Sequence, residues 1–175
     1  MKYITFTIPC YNSENYMRRC VDSLLVGGED VEILIIDDGS SDRTGAIADE
    51  YEMLYPNIVK AVHKPNGGHG SGVNKGLELA HGLYYKVVDS DDWFDRDAYK
   101  IKSFEVAQFP DLIICNYVYD HLDEGIQKPM NYRNVFPTEK MCNWNTIGHF
   151  HPSQYLIMHA LMFQTKVLRQ SGGKL

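Results

Sequence analysis

The 175-residue chain has no run of the ~18 consecutive apolar residues that a membrane-spanning helix needs. Its N-terminus enters a strand-like segment, ITFTIP, without the charged, apolar and small-residue zones of a secretory leader. There is no surplus of positive charge either. The net charge is −6, which argues against a general nucleic-acid binder, because phosphate backbones are held by clustered Lys and Arg. Cysteine is sparse. Cys10, Cys20, Cys115 and Cys142 form no C-x-x-C pair, and a disulfide framework is not expected in a chain of this size. Three or more of them are expected to be buried as small hydrophobes in a reducing compartment. Internal repeats and low-complexity tracts are also missing. These absences leave a cytoplasmic globular protein of one domain, with peripheral docking on the inner face of a membrane still compatible and the oligomeric state open.

What is present is an alternation of β-rich and helix-periodic segments. Ile4–Ile8 is β-rich and is expected to stop at Pro9. Tyr16, Met17, Cys20, Val21, Leu24 and Leu25 recur at helical spacing, with Asn12 or Ser13 as the expected N-cap. VEILII (31–36) is a near-continuous apolar run, as in strands covered on both faces. Ile47, Tyr51 and Leu54 mark a second helix, and residues 58–62 a short strand. Val73, Leu77 and Ala80 mark a third helix, and residues 83–88 another strand. A helix is expected over 98–106, one strand over LIICNYVY (112–119), an irregular stretch to Pro137 and then a short helix. A strand over 157–163 and a helix start near Thr165 close the chain. This order implies βαβ units, hence an α/β fold with a mostly parallel central sheet.

Three strand ends in this reading are polar: Pro9-Cys10-Tyr11-Asn12, Asp37-Asp38-Gly39-Ser40 and Asp89-Ser90-Asp91-Asp92. Parallel sheets bind ligands beyond the carboxyl ends of their strands. Within and just after KVVDSDDWF (86–94) fall five carboxylates, Asp89, Asp91, Asp92, Asp95 and Asp97. Turn and cap preferences would explain a lone Asp-Ser-Asp. With Asp37 and Asp38 on the same edge, a hard divalent cation, Mg²⁺ or Mn²⁺, is the better reading. Such a cation would hold a diphosphate that acids alone repel. Tyr11 offers an aromatic face on which a nucleobase could stack. GGHGSG completes neither the dinucleotide fingerprint nor the P-loop, yet such a loop can present N–H groups to phosphate at a helix start. His149 and His151 lack further ligands at a zinc spacing.

Taken together, IPCYNSENYMRRCVDSLL, VEILIIDDGSSDRT and NGGHGSGVNKGLELAHGLYYKVVDSDDWF closely resemble the family 2 glycosyltransferases of the GT-A fold. The resemblance covers residues 2–120 and continues more weakly through MHALMFQTKVLRQSG. It implies a Rossmann-like sandwich that inverts the sugar while moving it from a nucleotide diphosphate donor, a UDP-sugar, to a saccharide or lipid-linked acceptor in cell-surface polysaccharide synthesis. It further implies a base pocket lined by Pro9, Tyr11 and Asn12, with Asp37 and Asp38 at the base, Asn66 and Gly67 near the nucleoside and Asp89 at the ribose. The metal would be held by Asp91 with Asp92 close by. Two departures stand out. Val73 occupies a position where many relatives carry Arg, leaving Lys75 as the nearest cation. The segment that normally carries the catalytic Asp would follow Leu175, so residues 1–120 are read as the nucleotide-sugar part, 121–175 as the beginning of the acceptor side, and the whole as a truncated domain. A sugar nucleotidyltransferase is the alternative, although CYNSEN lacks the glycine-rich basic loop expected after its first strand. A non-catalytic nucleotide-sugar-binding module is the other.

Overall fold

The computed structural model describes residues 1–95, 109–121, 123–137 and 140–173. Among these residues six strands form one sheet, in the order 59–63, 31–37, 4–10, 84–87, 161–164 and 112–114. β1 (Ile4–Cys10), β2 (Val31–Asp37), β3 (Val59–His63) and β4 (Tyr84–Val87) run parallel. β8 (Leu161–Gln164) is antiparallel to both β4 and β5 (Leu112–Ile114). Every residue of β1 and β4 is buried, because helices cover both faces and leave no solvent side for a polar alternation. Ile4, Phe6 and Ile8 pack with Met17, Cys20, Val21 and Leu24 of α1 (Met17–Leu25) and with Ile47, Ala48 and Tyr51 of α2 (Thr44–Leu54). On the opposite face Tyr85 and Val87 pack with Val73 and Leu77 of α3 (His69–Leu79) and with Leu168 of α4 (Thr165–Gln170). Gly76 brings α3 close: a Cβ there would lie 2.2 Å from Thr7 Cγ2. No helix of the described residues is long and apolar enough to cross a membrane.

The strand order places a switch at β1. β2 and β3 lie on one side of it, and β4 returns on the other, which opens a crevice beyond the carboxyl ends. Pro9 does not end β1, as expected from sequence, but pairs with Ile36 inside it. Asp38 N–H donates to Cys10 O, and Val88 N–H donates to Thr7 O. Even-numbered residues of β1 therefore bond toward β2 and odd-numbered ones toward β4. The donor that Pro9 lacks would point past Thr7↔Val87, the last β1–β4 pair, so no ladder bond is lost.

Other expectations need correction. LIICNYVY is not one strand. Chain pairing breaks at Cys115-Asn116, where Cys115 N–H donates to Ala160 O and the Asn116 carboxamide oxygen accepts from Tyr132 N–H. β6 (Tyr117–His121) then leaves the sheet and pairs with β7 (Ile126–Met130), a hairpin within the stretch read as irregular. Ile114 and Leu161 are partners, so this excursion departs from the sheet and returns at adjacent positions. The strand expected over 157–163 begins only at Leu161, after a 3₁₀ turn at Met158–Ala160. The expected helix over 98–106 lies outside the described residues, and 140–148 holds turns rather than a helix. Neither Asn12 nor Ser13 caps α1 with its side chain; Tyr16 occupies that position. Two cysteines are buried, Cys10 and Cys20, while Cys115 is half-buried and Cys142 exposed.

Candidate functional site

The three polar strand ends converge on one cleft of roughly 460 Å³, lined by Pro9, Cys10, Tyr11, Ser13, Tyr16, Asp38, Asn66, Gly68, His69, Asp89, Ser90 and Asp91. That volume lies within the range of small-molecule sites. Tyr11 follows the last residue of β1 and is 55% exposed, so its ring is free to meet a ligand. Asn12 adopts φ +50, and its amide stitches two loops together: its N–H donates to Ser40 Oγ (3.0 Å), and its Oδ1 accepts from Ser41 N–H (2.9 Å). Cys10, though in the cleft wall, is no nucleophile, because burial pushes its thiol up to about 12.

The two acids ending β2 serve different partners. Asp37 Oδ1 accepts from Ser40 N–H (3.0 Å), and its Oδ2 lies 3.0 Å from His63 Nδ1. His63 Nε2 in turn lies 3.0 Å from Asp49 on α2. Burial disfavours the Asp37 anion, but Ser40 and His63 outweigh it and lower its pKa; the same pair of carboxylates raises that of His63. Asp38 is buried and spans the next loop. It accepts from Gly67 N–H (3.0 Å) and Gly68 N–H (2.8 Å) and is paired with the Lys64 ammonium. Burial again opposes the charge, and these donors more than offset it. Gly68, at φ +84, lets the chain turn from this bracket into α3.

The acids after β4 form a second centre. Asp89 Oδ1 lies 2.9 Å from His69 Nε2, at the start of α3. Its Oδ2 lies 3.4 Å from His159 Nε2, and Asp92 Oδ2 lies 3.5 Å from His159 Nδ1. Asp89, Asp92 and His159 offer donor atoms that all lie within 4.8 Å of one another. Asp91 faces the cleft instead. Burial raises the pKa of Asp92; His159 and Lys86 counteract this, while Asp91 and Asp89 add to it. His159 Nδ1 is buried and makes no hydrogen bond. Two carboxylates and an imidazole with an unused nitrogen fit a divalent cation.

The acid loop is anchored to α1 and to the loop before it. Ser90 Oγ is 2.9 Å from Ser13 Oγ, Phe94 N–H donates to Ser23 Oγ, and the Arg19 guanidinium lies 3.2 Å from the centre of the Trp93 ring. Of the residues expected from sequence, Pro9, Tyr11, Asp38, Asn66, Asp89 and Asp91 line the cleft. Asn12, Asp37 and Gly67 stand behind it in the hydrogen bonds that shape its loops, and Asp92 faces His159. The sequence assigns no role to Lys64 or His69, and offers His159 only as one of three histidines, with His149 and His151, that could stand in for a base. Nothing in KPNGGH or MHALM marks them as partners of the acids, because each meets its partner only through the packing of distant strands.

The family model described as Glycosyl transferase family 2 matches residues 5–165. EpsH of Bacillus subtilis (strain 168) is 37% identical over 123 residues, 70% of this chain and 36% of EpsH. The crystal structure of S. aureus TarS 1-349 in complex with UDP superposes with a TM-score of 0.74 at 22% identity, over 99% of this chain and 50% of that one. The mannosyltransferase PcManGT of Pyrobaculum calidifontis, solved with GDP-Man and Mn²⁺, gives a TM-score of 0.66 at 16% identity, over 97% of this chain and 46% of that one. The chain thus spans about a third of the length of EpsH and half of TarS 1-349. These two structural likenesses establish the GT-A fold.

Proposed function

Because the chain belongs to glycosyl transferase family 2, we propose that it binds a nucleoside diphosphate sugar, a UDP-sugar, in the cleft at the β1 switch and presents it for inverting transfer to a saccharide or lipid-linked acceptor in polysaccharide synthesis. The observation that carries this reading is a cleft that holds an exposed aromatic ring and shares Asp89 of its wall with the acid–imidazole centre. Tyr11 stacks on the base. Asp38, by bracketing Gly67 and Gly68 with Lys64, shapes the loop in which Asn66 meets the nucleoside. Asp89, Asp92 and His159 hold the cation, and Asp91 faces the donor from the cleft wall. When bound, the cation supplies Lewis acidity to the departing diphosphate, whose charge grows as the bond to the sugar breaks.

Titration of UDP by calorimetry tests the reading. Affinity should be high with Mn²⁺ and fall sharply with a chelator; equal affinity in both would overturn the metal assignment, and no binding in either would overturn the nucleotide site.

A further inference from the structure

Lys86 is the only buried cation among the described residues, at 3% exposure, and it sits in a strand whose other members are Tyr84, Tyr85 and Val87. A buried ammonium is costly unless its hydrogen bonds are met. Lys86 donates to the backbone carbonyl of His159 and, at 3.3 Å, to that of Leu161, and its ammonium lies 5.6 Å from the centre of the Phe94 ring. The β4–β8 ladder consists of two pairs, Tyr84↔Gln164 and Tyr85↔Phe163. Lys86 takes hold of the opposite chain where that ladder stops. Because β8 is antiparallel to β4, the turn preceding β8 returns to the edge where β4 releases its acids. His159, in that turn, therefore meets Asp89 and Asp92.

We propose that Lys86 is the positioning residue for His159: its ammonium clamps the 159–161 backbone so that the imidazole faces both carboxylates and completes the ligand set for the cation. This rests on the metal reading given above. Lys86 does not touch the ion. It acts through the backbone of its ligand, as outer partners of metal ligands do, and such partners commonly change metal affinity by roughly 10–100-fold.

The test uses the chain with Mn²⁺ and saturating UDP, with free Mn²⁺ followed by electron paramagnetic resonance. K86M should weaken Mn²⁺ binding about tenfold, comparably to H159A, and the double variant should be little worse than H159A alone. K86Q, which keeps an N–H donor without the charge, should retain more affinity than K86M. In a second readout, Mn²⁺ should broaden the imidazole proton resonances of His159 in the native protein, and less so in K86M. Should K86M fail to fold, K86Q and the broadening of His159 within it decide the question. Native affinity in a folded K86M or K86Q, or additive losses in the double variant, would overturn the proposal while leaving the metal site standing. If the native protein neither binds Mn²⁺ nor shows broadening of His159, the metal reading falls and takes this inference with it.

Discussion

Replacing Asp38 by Asn separates two roles that one carboxylate could play. By family resemblance Asp38 contacts the base, and a substitution would then lower nucleotide affinity and little else. Its geometry says more. The side chain is 5% exposed, its partner Lys64 is 19% exposed, and three donors, Gly67 N–H, Gly68 N–H and the Lys64 ammonium, converge on it. Hydrogen bonds to a charged acceptor contribute about 1.5–3 kcal/mol each, but neighbours in one network are not additive. Breaking a buried pair costs about 3–5 kcal/mol. Lys64 keeps Pro65 O (2.7 Å) and Ser71 Oγ (2.8 Å), which offsets part of that loss. Asn also turns an N–H₂ toward groups that can only donate. The expected destabilisation is therefore about 3 kcal/mol in the absence of any ligand, or about 6–12 °C in melting temperature for a chain of this size. Urea denaturation of the free protein measures it. The pH dependence adds a signature. The folded pKa of Asp38 is lowered, so its contribution is present above the unfolded value near ~3.9 and is lost as pH falls through the lower folded value. Asp38→Asn should remove that part of the acid limb. A variant with native urea midpoint and reduced UDP affinity would refute the bracket and leave Asp38 a base contact alone.

Three further outcomes are expected. His63, bridging Asp37 and Asp49, has a raised pKa, so its stabilisation is complete below the ordinary histidine value near ~6.5 and is lost as pH rises through the folded value. Because the ring is about half exposed, the effect should stay under about 1 kcal/mol, and His63→Gln should flatten the stability profile in that window. Tyr11→Ala should cost about 1–3 kcal/mol of UDP affinity by calorimetry and Tyr11→Phe little, since stacking uses the ring face. Gly76→Ala should destabilise by about 1–3 kcal/mol in thermal melts, because the added methyl meets Thr7 on β1 with no flexible end to yield.

The sheet was legible because its central strands β1, β2 and β4 are covered on both faces and leave apolar runs such as VEILII. The shared edge was legible because a parallel sheet puts every carboxyl end on one side. Legibility fails where a partner is remote. LIICNYVY reads as one strand, since neither Gly nor Pro interrupts it; what divides it is a change of partner, from β8, which Cys115 N–H still follows at Ala160 O, to β7 from Tyr117 onward. The hairpin of β6 and β7 is an isolated ribbon with little burial, so its sequence carries no strong alternation. Asp37 and Asp38 look alike in sequence and diverge only because one faces α2 and the other the glycine loop. His159 acquires its neighbours from the antiparallel return of β8, which a single histidine in MHALM does not encode.

That return has a wider consequence. Ile114 and Leu161 lie opposite each other, so the whole excursion between them begins and ends at adjacent points of the same sheet edge. Beyond Leu161 the chain is stapled again: Thr165 bonds to Leu83 O and Gly82 O, and the Arg169 guanidinium covers the carbonyls of Leu77, Glu78 and Ala80 at the end of α3. The excursion is in effect a cassette in a fixed frame. A different insert, shorter or longer, could be spliced in ahead of the Met158–Ala160 turn, and whatever it carried to the rim of the cleft would change while the strands, the acid loop, His159 and the lysine that holds it stayed where they are.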